Sequence, residues 1–264
     1  VRSRGLGDVY KRQEENNRYE IRDVIGPDEY KEHVDNNAYT NYMAHENMRL
    51  AAQVIACIRD EKKDIYGKMQ KLMQEEGTSL EQLEEELKDK MKKLYLPQPD
   101  EKTGIIPQFD GYFDLKEIDL SVYKNASVVG TIFHDYSGED VQKMQAGKQA
   151  DIVELLYQME DITTPDNKAK NYVYYEARTL HDSSLSKAIH SITACDLGME
   201  KEAYEMFMSA ALTDLGQEMK SSDAGIHSAN MGGVWQDVVM GFGGIRIRDG
   251  HLRIAPNCPK QWEK

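Results

Sequence analysis

Apolar residues recur at helical spacing almost to residue 243, and after Gly244 the spacing changes to strict alternation. The segment AYTNYMAHENMRLAAQVIACIRD puts Leu50, Ala51, Val54, Ile55 and Ile58 on one face of a 3.6-residue period, which predicts a helix after Asn36 with that face buried. A charged helix is expected over 62–76. After a break at Gly77 another follows, with a capping box from Thr78 to Glu81, a stripe of Leu80, Leu83, Leu87, Met91 and Leu94, and a stop at Pro97. Helical pattern returns in GEDVQKMQAGKQADIVELLYQM, SSLSKAIHSITACDLG, KEAYEMFMSAALTDLG and GGVWQDVVMGFGG, with Leu-Gly as the stop of the second and third. DEKTGIIPQFDGYFDLKEIDL, interrupted by Gly104, Pro107 and Gly111, reads as a long loop, and long loops in compact domains are often functional. IRIRDGHLRIAP alternates around Asp249-Gly250 and predicts a β-hairpin.

Helix pairs of unequal length make the fold mainly α, as an α/α toroid or a helical solenoid. The lack of a fixed repeat period weighs against a regular array. A hairpin alone is marginal in water, so residues 244–264 are expected to begin a truncated C-terminal β-domain and residues 14–243 to form the helical domain. VRSRGLGDVYKRQ, residues 1–13, is read as a non-native leader, and the chain as a fragment of a longer protein.

Composition removes several classes of function. The formal net charge is -13, so neither nucleic acid nor an anionic membrane finds a basic face. No apolar run is long enough to span a bilayer. Cys57, Cys195 and Cys258 are odd in number and far apart, which gives neither a disulfide framework nor a zinc knuckle and fits a reducing, cytoplasmic setting. The sequon Asn125-Ala126-Ser127 would be inert there.

The residues suited to chemistry fall in four stretches, each with an ordinary structural explanation beside the functional one. In GPDEYKEHVDNNAYTNYMA, Glu29 before a helix start could simply favour the helix dipole, or act as a general acid with a raised pKa. GKQADIV places Lys148 and Gln149 at a helix start, as a solvated pair or as a clamp on sugar hydroxyls. In YVYYEARTLHDSSLS, Glu176, His181, Ser183 and Ser184 precede a helix. The serines could be ordinary N-caps, or hydroxyls that with free backbone N–H groups receive a phosphate. In DAGIHSANMGGVWQ, His227 is either a core histidine at a helix end or a ligand contact among small residues. Tyr30, Asn36, Asn37, Tyr39, Asn41 and Tyr42 suit sugar recognition or a polar loop. No HExxH, P-loop or GxSxG is present, and GFGG is no nucleotide-binding fingerprint.

Together, in this order, the four stretches resemble glycoside hydrolase family 65, a family of inverting disaccharide phosphorylases. The resemblance covers nearly everything after residue 20, with Ala177 standing where proline is common. It implies part of an (α/α)6 barrel followed by the start of a C-terminal β-sandwich. It places Glu29 on the general acid, and Lys148, Gln149, Glu176 and His181 on the sugar side. Ser183, Ser184 and His227 fall on the phosphate side. It implies phosphorolysis of an α-glucosidic disaccharide, kojibiose favoured, to β-glucose 1-phosphate and a released sugar. Phosphate is the co-substrate and no metal or organic cofactor is needed; the full-length form would be a homodimer, and this chain alone inactive. The alternatives are an inverting α-glucoside hydrolase with Glu176 as base, and a non-catalytic helical scaffold.

Overall fold

The computed structural model describes residues 10–13, 17–124, 126, 128–216, 225–248 and 250–262. The sequon residues Asn125 and Ser127, and Asp223 and Asp249 of two quoted stretches, lie outside them. The chain forms two compact units. One comprises Val1–Val24 with His33–Pro97, the other Ile25–Glu32 with Gln98–Lys264.

In the first unit β1 (Tyr10–Gln13) pairs antiparallel with β2 (Arg18–Ile21), Tyr10 opposite Ile21. Three helices follow, α1 (Ala38–Glu61), α2 (Lys63–Glu75) and α3 (Leu80–Lys93). Ile21, Met48 and Leu94 form a small core, with Leu87 and Met91 packed on it. Leu50 and Val54 are about half exposed, at 47% and 55%, and α1 buries Ala38, Asn41, Tyr42, Met48 and Ile55 instead. The expected apolar face is therefore only partly the buried one. Asn37 caps α1, its side chain accepting from the Thr40 N–H, and Asn41 donates to the Tyr95 carbonyl at 2.8 Å. Tyr42 O–H donates to the Pro97 carbonyl at 3.1 Å. These members of the Asn/Tyr run are thus engaged in capping and backbone hydrogen bonds. Ser79, not Thr78, caps α3 by accepting from the Gln82 N–H, and α3 ends at Lys93, short of Pro97. No residue of α2 is buried, as its charge density requires.

In the second unit the segment Ile25–Glu32 is followed by the expected long loop, but the loop is anchored. Ile105, Ile106, Phe109 and Tyr112 are buried, and the Ile106 N–H donates to Asn171 Oδ1 at 2.8 Å. Then come α4 (Ser121–Lys124), α5 (Gly138–Gln142) and α6 (Ile152–Gln158). The single helical stretch expected over GEDVQKMQAGKQADIVELLYQM is thus two short helices, with Lys148 and Gln149 in the connection ahead of α6 rather than at its first turn. Next are α7 (Pro165–Glu176), α8 (Ser186–Asp196), α9 (Glu200–Ala211) and α10 (Ser228–Gln236). Thr164 caps α7 with Pro165 just inside it, where a missing N–H costs nothing. Gly198 takes φ 71° after α8, the left-handed stop that its Leu-Gly signal predicted.

Helix α8 is the most enclosed element, with Ala188, His190, Ser191, Ile192, Thr193, Ala194 and Cys195 all buried. It packs on α6, α7, α9, α10 and the π-helical segment Asp237–Phe242 that continues α10. A second cluster, Leu120, Ile132, Val141, Met144, Ala146 and Leu180, backs the connecting loops, with Tyr30 packed on it. The predicted hairpin is β3 (Ile245–Arg248) against β4 (His251–Ile254). All of β4 is exposed. The hairpin is held to this unit through buried Arg246, which pairs with Glu160 at 2.9 Å and Asp196 at 3.0 Å.

Candidate active site

Three loops of the second unit are knitted together by backbone hydrogen bonds and one buried carboxylate. The Gly147 N–H donates to the Arg178 carbonyl at 2.8 Å, the Leu180 N–H to the Gly147 carbonyl at 2.8 Å, and the Asp182 N–H to the Lys148 carbonyl at 2.9 Å. This short parallel ladder lays KQAD alongside RTLHD. Asp182 then accepts from Tyr30 O–H at 2.7 Å and from the Gly130 N–H at 2.9 Å. Asp28 accepts from the Lys148 N–H at 2.8 Å and from Gln108 Nε2 at 3.1 Å. Lys31, also buried, donates to the carbonyls of Val141 and Met144, both at 2.6 Å. Burial pulls its pKa down to about 8 against the opposing charge of Asp28. GPDEYK is therefore a clamped loop rather than the approach to a helix, since α1 does not begin until Ala38.

On this frame Glu29 stands 59% exposed and meets Lys148, Nζ to Oε2, at 2.5 Å. Gln149 turns the other way and donates to the Pro27 carbonyl at 2.5 Å. The sequence placed Glu29 and Lys148 119 residues apart, so only the fold makes them neighbours.

Glu176 closes α7 and lies in a different environment. It receives His190 Nδ1 at 2.5 Å, His181 Nε2 at 3.1 Å and Lys124 Nζ at 2.8 Å. The tautomers follow from Ser186. Its Oγ accepts from the Ala150 N–H at 3.2 Å and lies 2.8 Å from His181 Nδ1, so the serine proton goes to His181 and leaves the ring proton on Nε2, facing Glu176. Burial raises the Glu176 pKa, but the two imidazoles outweigh it and the net shift is strongly downward. Burial pulls the His181 pKa down to about 4, so that ring is neutral near pH 7. His181 also adopts φ 57°, a left-handed conformation that costs a non-glycine residue roughly 1–3 kcal/mol and is common at functional sites. Glu176, His181 and His190 bring ligand atoms within 4.8 Å of one another; the cation against that carboxylate here is the Lys124 ammonium.

Ser183 and Ser184 are half-buried and precede α8. Ser183 Oγ accepts from the Leu185 N–H at 3.3 Å, a local turn contact. Ser184 and Gln149 line a cavity of about 250 Å³ whose other walls include Ala188, Ala229, Asn230 and Gly233. His227 sits at the N-cap position of α10, just before Ala229, and is fixed by Asp214, which accepts from its N–H at 2.9 Å and approaches its Nδ1 at 2.6 Å. The fold thus joins Glu29 to Lys148 and Glu176 to His181 as separate pairs, while of the expected site residues Gln149 and Ser184 line the cavity and His227 directly precedes its α10 wall.

A family profile described as the glycosyl hydrolase family 65 central catalytic domain matches residues 7–236. The chain belongs to glycosyl hydrolase family 65. A kojibiose phosphorylase of Halothermothrix orenii is 46% identical to this family 65 chain over 247 residues, which are 93% of the chain and 31% of that relative. A nigerose phosphorylase of Lachnoclostridium phytofermentans is 34% identical over 249 residues, 92% of the chain and 32% of the relative. A solved structure from the human microbiome, provisionally assigned as a kojibiose phosphorylase, superposes with a TM-score of 0.83 at 30% identity, covering 96% of the chain and 36% of its own. The chain therefore spans about a third of the length of the curated relatives it matches.

Several residues of this family 65 site escaped the sequence reading. Lys124, Gln108 and His190 carry no motif, and only the folded chain brings them to Glu176 or Asp28. Asp28 and Asp182 lie inside quoted stretches, next to Glu29 and Ser183, and their adjacency was the one available signal.

Proposed function

We propose that the protein to which this chain belongs cleaves an α-glucosidic disaccharide with inorganic phosphate, inverting the anomeric centre, on a barrel of (α/α)6 type followed by a β-sandwich. Glu29 gives its proton to the glycosidic oxygen as the bond to the anomeric carbon breaks. A phosphate oxygen attacks that carbon from the opposite face, and β-glucose 1-phosphate and a free sugar leave. Lys148 and Gln149 engage sugar hydroxyls beside Glu29. Ser183, Ser184 and His227 hold phosphate near the start of α8. Glu176 and His181 support the sugar side. Kojibiose is the favoured substrate, in line with the names of the relatives at 46% and 39% identity. No cofactor beyond phosphate enters the scheme, and a cytoplasmic homodimer is the proposed form.

The observation that favours phosphate over water is the state of Glu176. An inverting hydrolase needs a second carboxylate free to take a proton from water. Glu176, the candidate for that role, is surrounded by donors from His181, His190 and Lys124 and has its pKa driven down. A carboxylate in that state is a poor base. Phosphate, already an anion, needs none.

The test uses a full-length hybrid in which this chain replaces the matched 247 residues of the H. orenii enzyme. Glu29→Gln should abolish phosphorolysis, a loss of at least about 100-fold for a missing general acid. Retained turnover would remove Glu29 from that role.

A further inference from the structure

We propose that Asp28 is a positioning residue for proton transfer at Glu29, an inference that rests on reading Glu29 as the general acid. Asp28 is 1% exposed. Its Oδ1 accepts from the Lys148 N–H at 2.8 Å and from the Tyr30 N–H at 3.2 Å, and its Oδ2 from Gln108 Nε2 at 3.1 Å. Two stretches far away in sequence, at Gln108 and Lys148, therefore converge on one carboxylate. The residue after Asp28 is Glu29, and the residue whose amide it holds most closely is Lys148. Those two side chains are the pair that meets at 2.5 Å. One buried group thus fixes the backbone under both.

The surroundings are built for that contact. A Cβ on Gly147 would lie 3.1 Å from Asp28 Oδ2, so glycine lets the Lys148 loop approach. Burial pushes the Asp28 pKa up, and Lys31, three residues on and buried with it, and the three donors oppose that shift only in part. Gln108 also reaches Asp151 Oδ2 at 3.3 Å, which ties the arrangement to the start of α6.

A scaffold residue and a positioning residue differ in what their loss changes. Loss of a scaffold lowers the amount of folded protein and leaves the turnover of each folded site unchanged. Loss of positioning lowers kcat at folded sites, because a shift of about 1 Å at the reacting groups can cost about 100-fold. In the hybrid, Asp28→Ala should lower kcat about 100-fold while the KM for phosphate moves by less than about threefold. Asp28→Asn keeps an Oδ1 acceptor for both amides and should recover kcat to within about tenfold of the parent. Where Asp28→Ala yields no folded protein, Gln108→Ala, which removes the donor to Asp28 Oδ2 and to Asp151 Oδ2 and leaves both Asp28 Oδ1 contacts, should lower kcat about tenfold with the same small change in KM. Unchanged kcat in folded Asp28→Ala or Gln108→Ala, or equal losses in Asp28→Ala and Asp28→Asn, would overturn the proposal. Glu29→Gln is measured alongside: if it is inactive while Asp28→Ala has normal kcat, the acid reading stands and the positioning role falls; if it is active, both fall.

Discussion

Glu176 shows how much a side chain's role depends on what surrounds it. In the sequence it is a carboxylate near two serines and a histidine, and it serves equally as sugar ligand or base. In the fold it is a half-buried carboxylate held by two imidazoles and an ammonium. Glu176→Gln should therefore lower stability, by about 1–3 kcal/mol for donors left without their charged acceptor, read as a drop in the denaturant midpoint of the hybrid. A mutant as stable as the parent would contradict the tautomer and charge assignment given to this cluster. Ser184 belongs to the phosphate side of the proposal. Ser184→Ala should raise the KM for phosphate about tenfold, the equivalent of about 1.5 kcal/mol for a hydrogen bond to a charged group, with a much smaller effect on the KM for the disaccharide. Equal effects on both would move Ser184 away from phosphate.

At the scale of elements, α8 and the π-helical continuation of α10 meet through Ser191 and Asp237. Ser191 has one hydroxyl proton and two acceptors in reach, the Ala203 carbonyl at 2.7 Å and Asp237 Oδ1 at 2.9 Å. Donation to the carbonyl leaves the second contact to a proton on Asp237, and burial indeed pushes that carboxyl's pKa up to about 7 from 3.8. The native state then holds the proton more tightly than the unfolded chain does. Stability from this group is complete below 3.8 and is lost as pH rises through about 7. Asp237→Asn should consequently stabilise the hybrid by about 2 kcal/mol at pH 8 and by almost nothing at pH 4. A difference independent of pH, measured by guanidinium unfolding, would refute the assignment. Elements of this kind also mark the limit of what spacing conveys. The hairpin and α8 are legible because alternation in the one, and helical period with the Gly198 stop in the other, agree locally; α9 is legible by its period alone, since it ends at Ala211, short of the Leu-Gly stop expected at Gly216. The outward tilt of Leu50 and Val54 was not, because which face of α1 is buried is decided by Ile21 and Leu94 rather than by α1 itself. Nor was the break between α5 and α6, where the ladder with RTLHD takes the backbone bonds that a helix through Lys148 would have used. Glu29, Lys148, His181, Ser184 and His227 could be found as motif members; Lys124 at Glu176 and Gln108 at Asp28 could not, since nothing local specifies a contact across 50 or more residues.

At the scale of the whole molecule, the chain is a family 65 segment that matches about a third of each curated relative. Glu29, Lys148 and the cavity lined by Gln149 and Ser184 all lie in its second unit, and no described helix is long and apolar enough to cross a membrane. By itself the 264-residue chain should show no phosphorolysis, and supplying it within the hybrid should restore it; turnover by the isolated chain would show that its own loops complete the glucose pocket. The central claim is that phosphate, not activated water, attacks the sugar. It is tested most directly by following kojibiose cleavage in the hybrid by NMR, with and without inorganic phosphate. The account predicts β-glucose 1-phosphate in step with the released sugar when phosphate is present, and no cleavage in its absence. Release of two glucose molecules at the same rate without phosphate would contradict it.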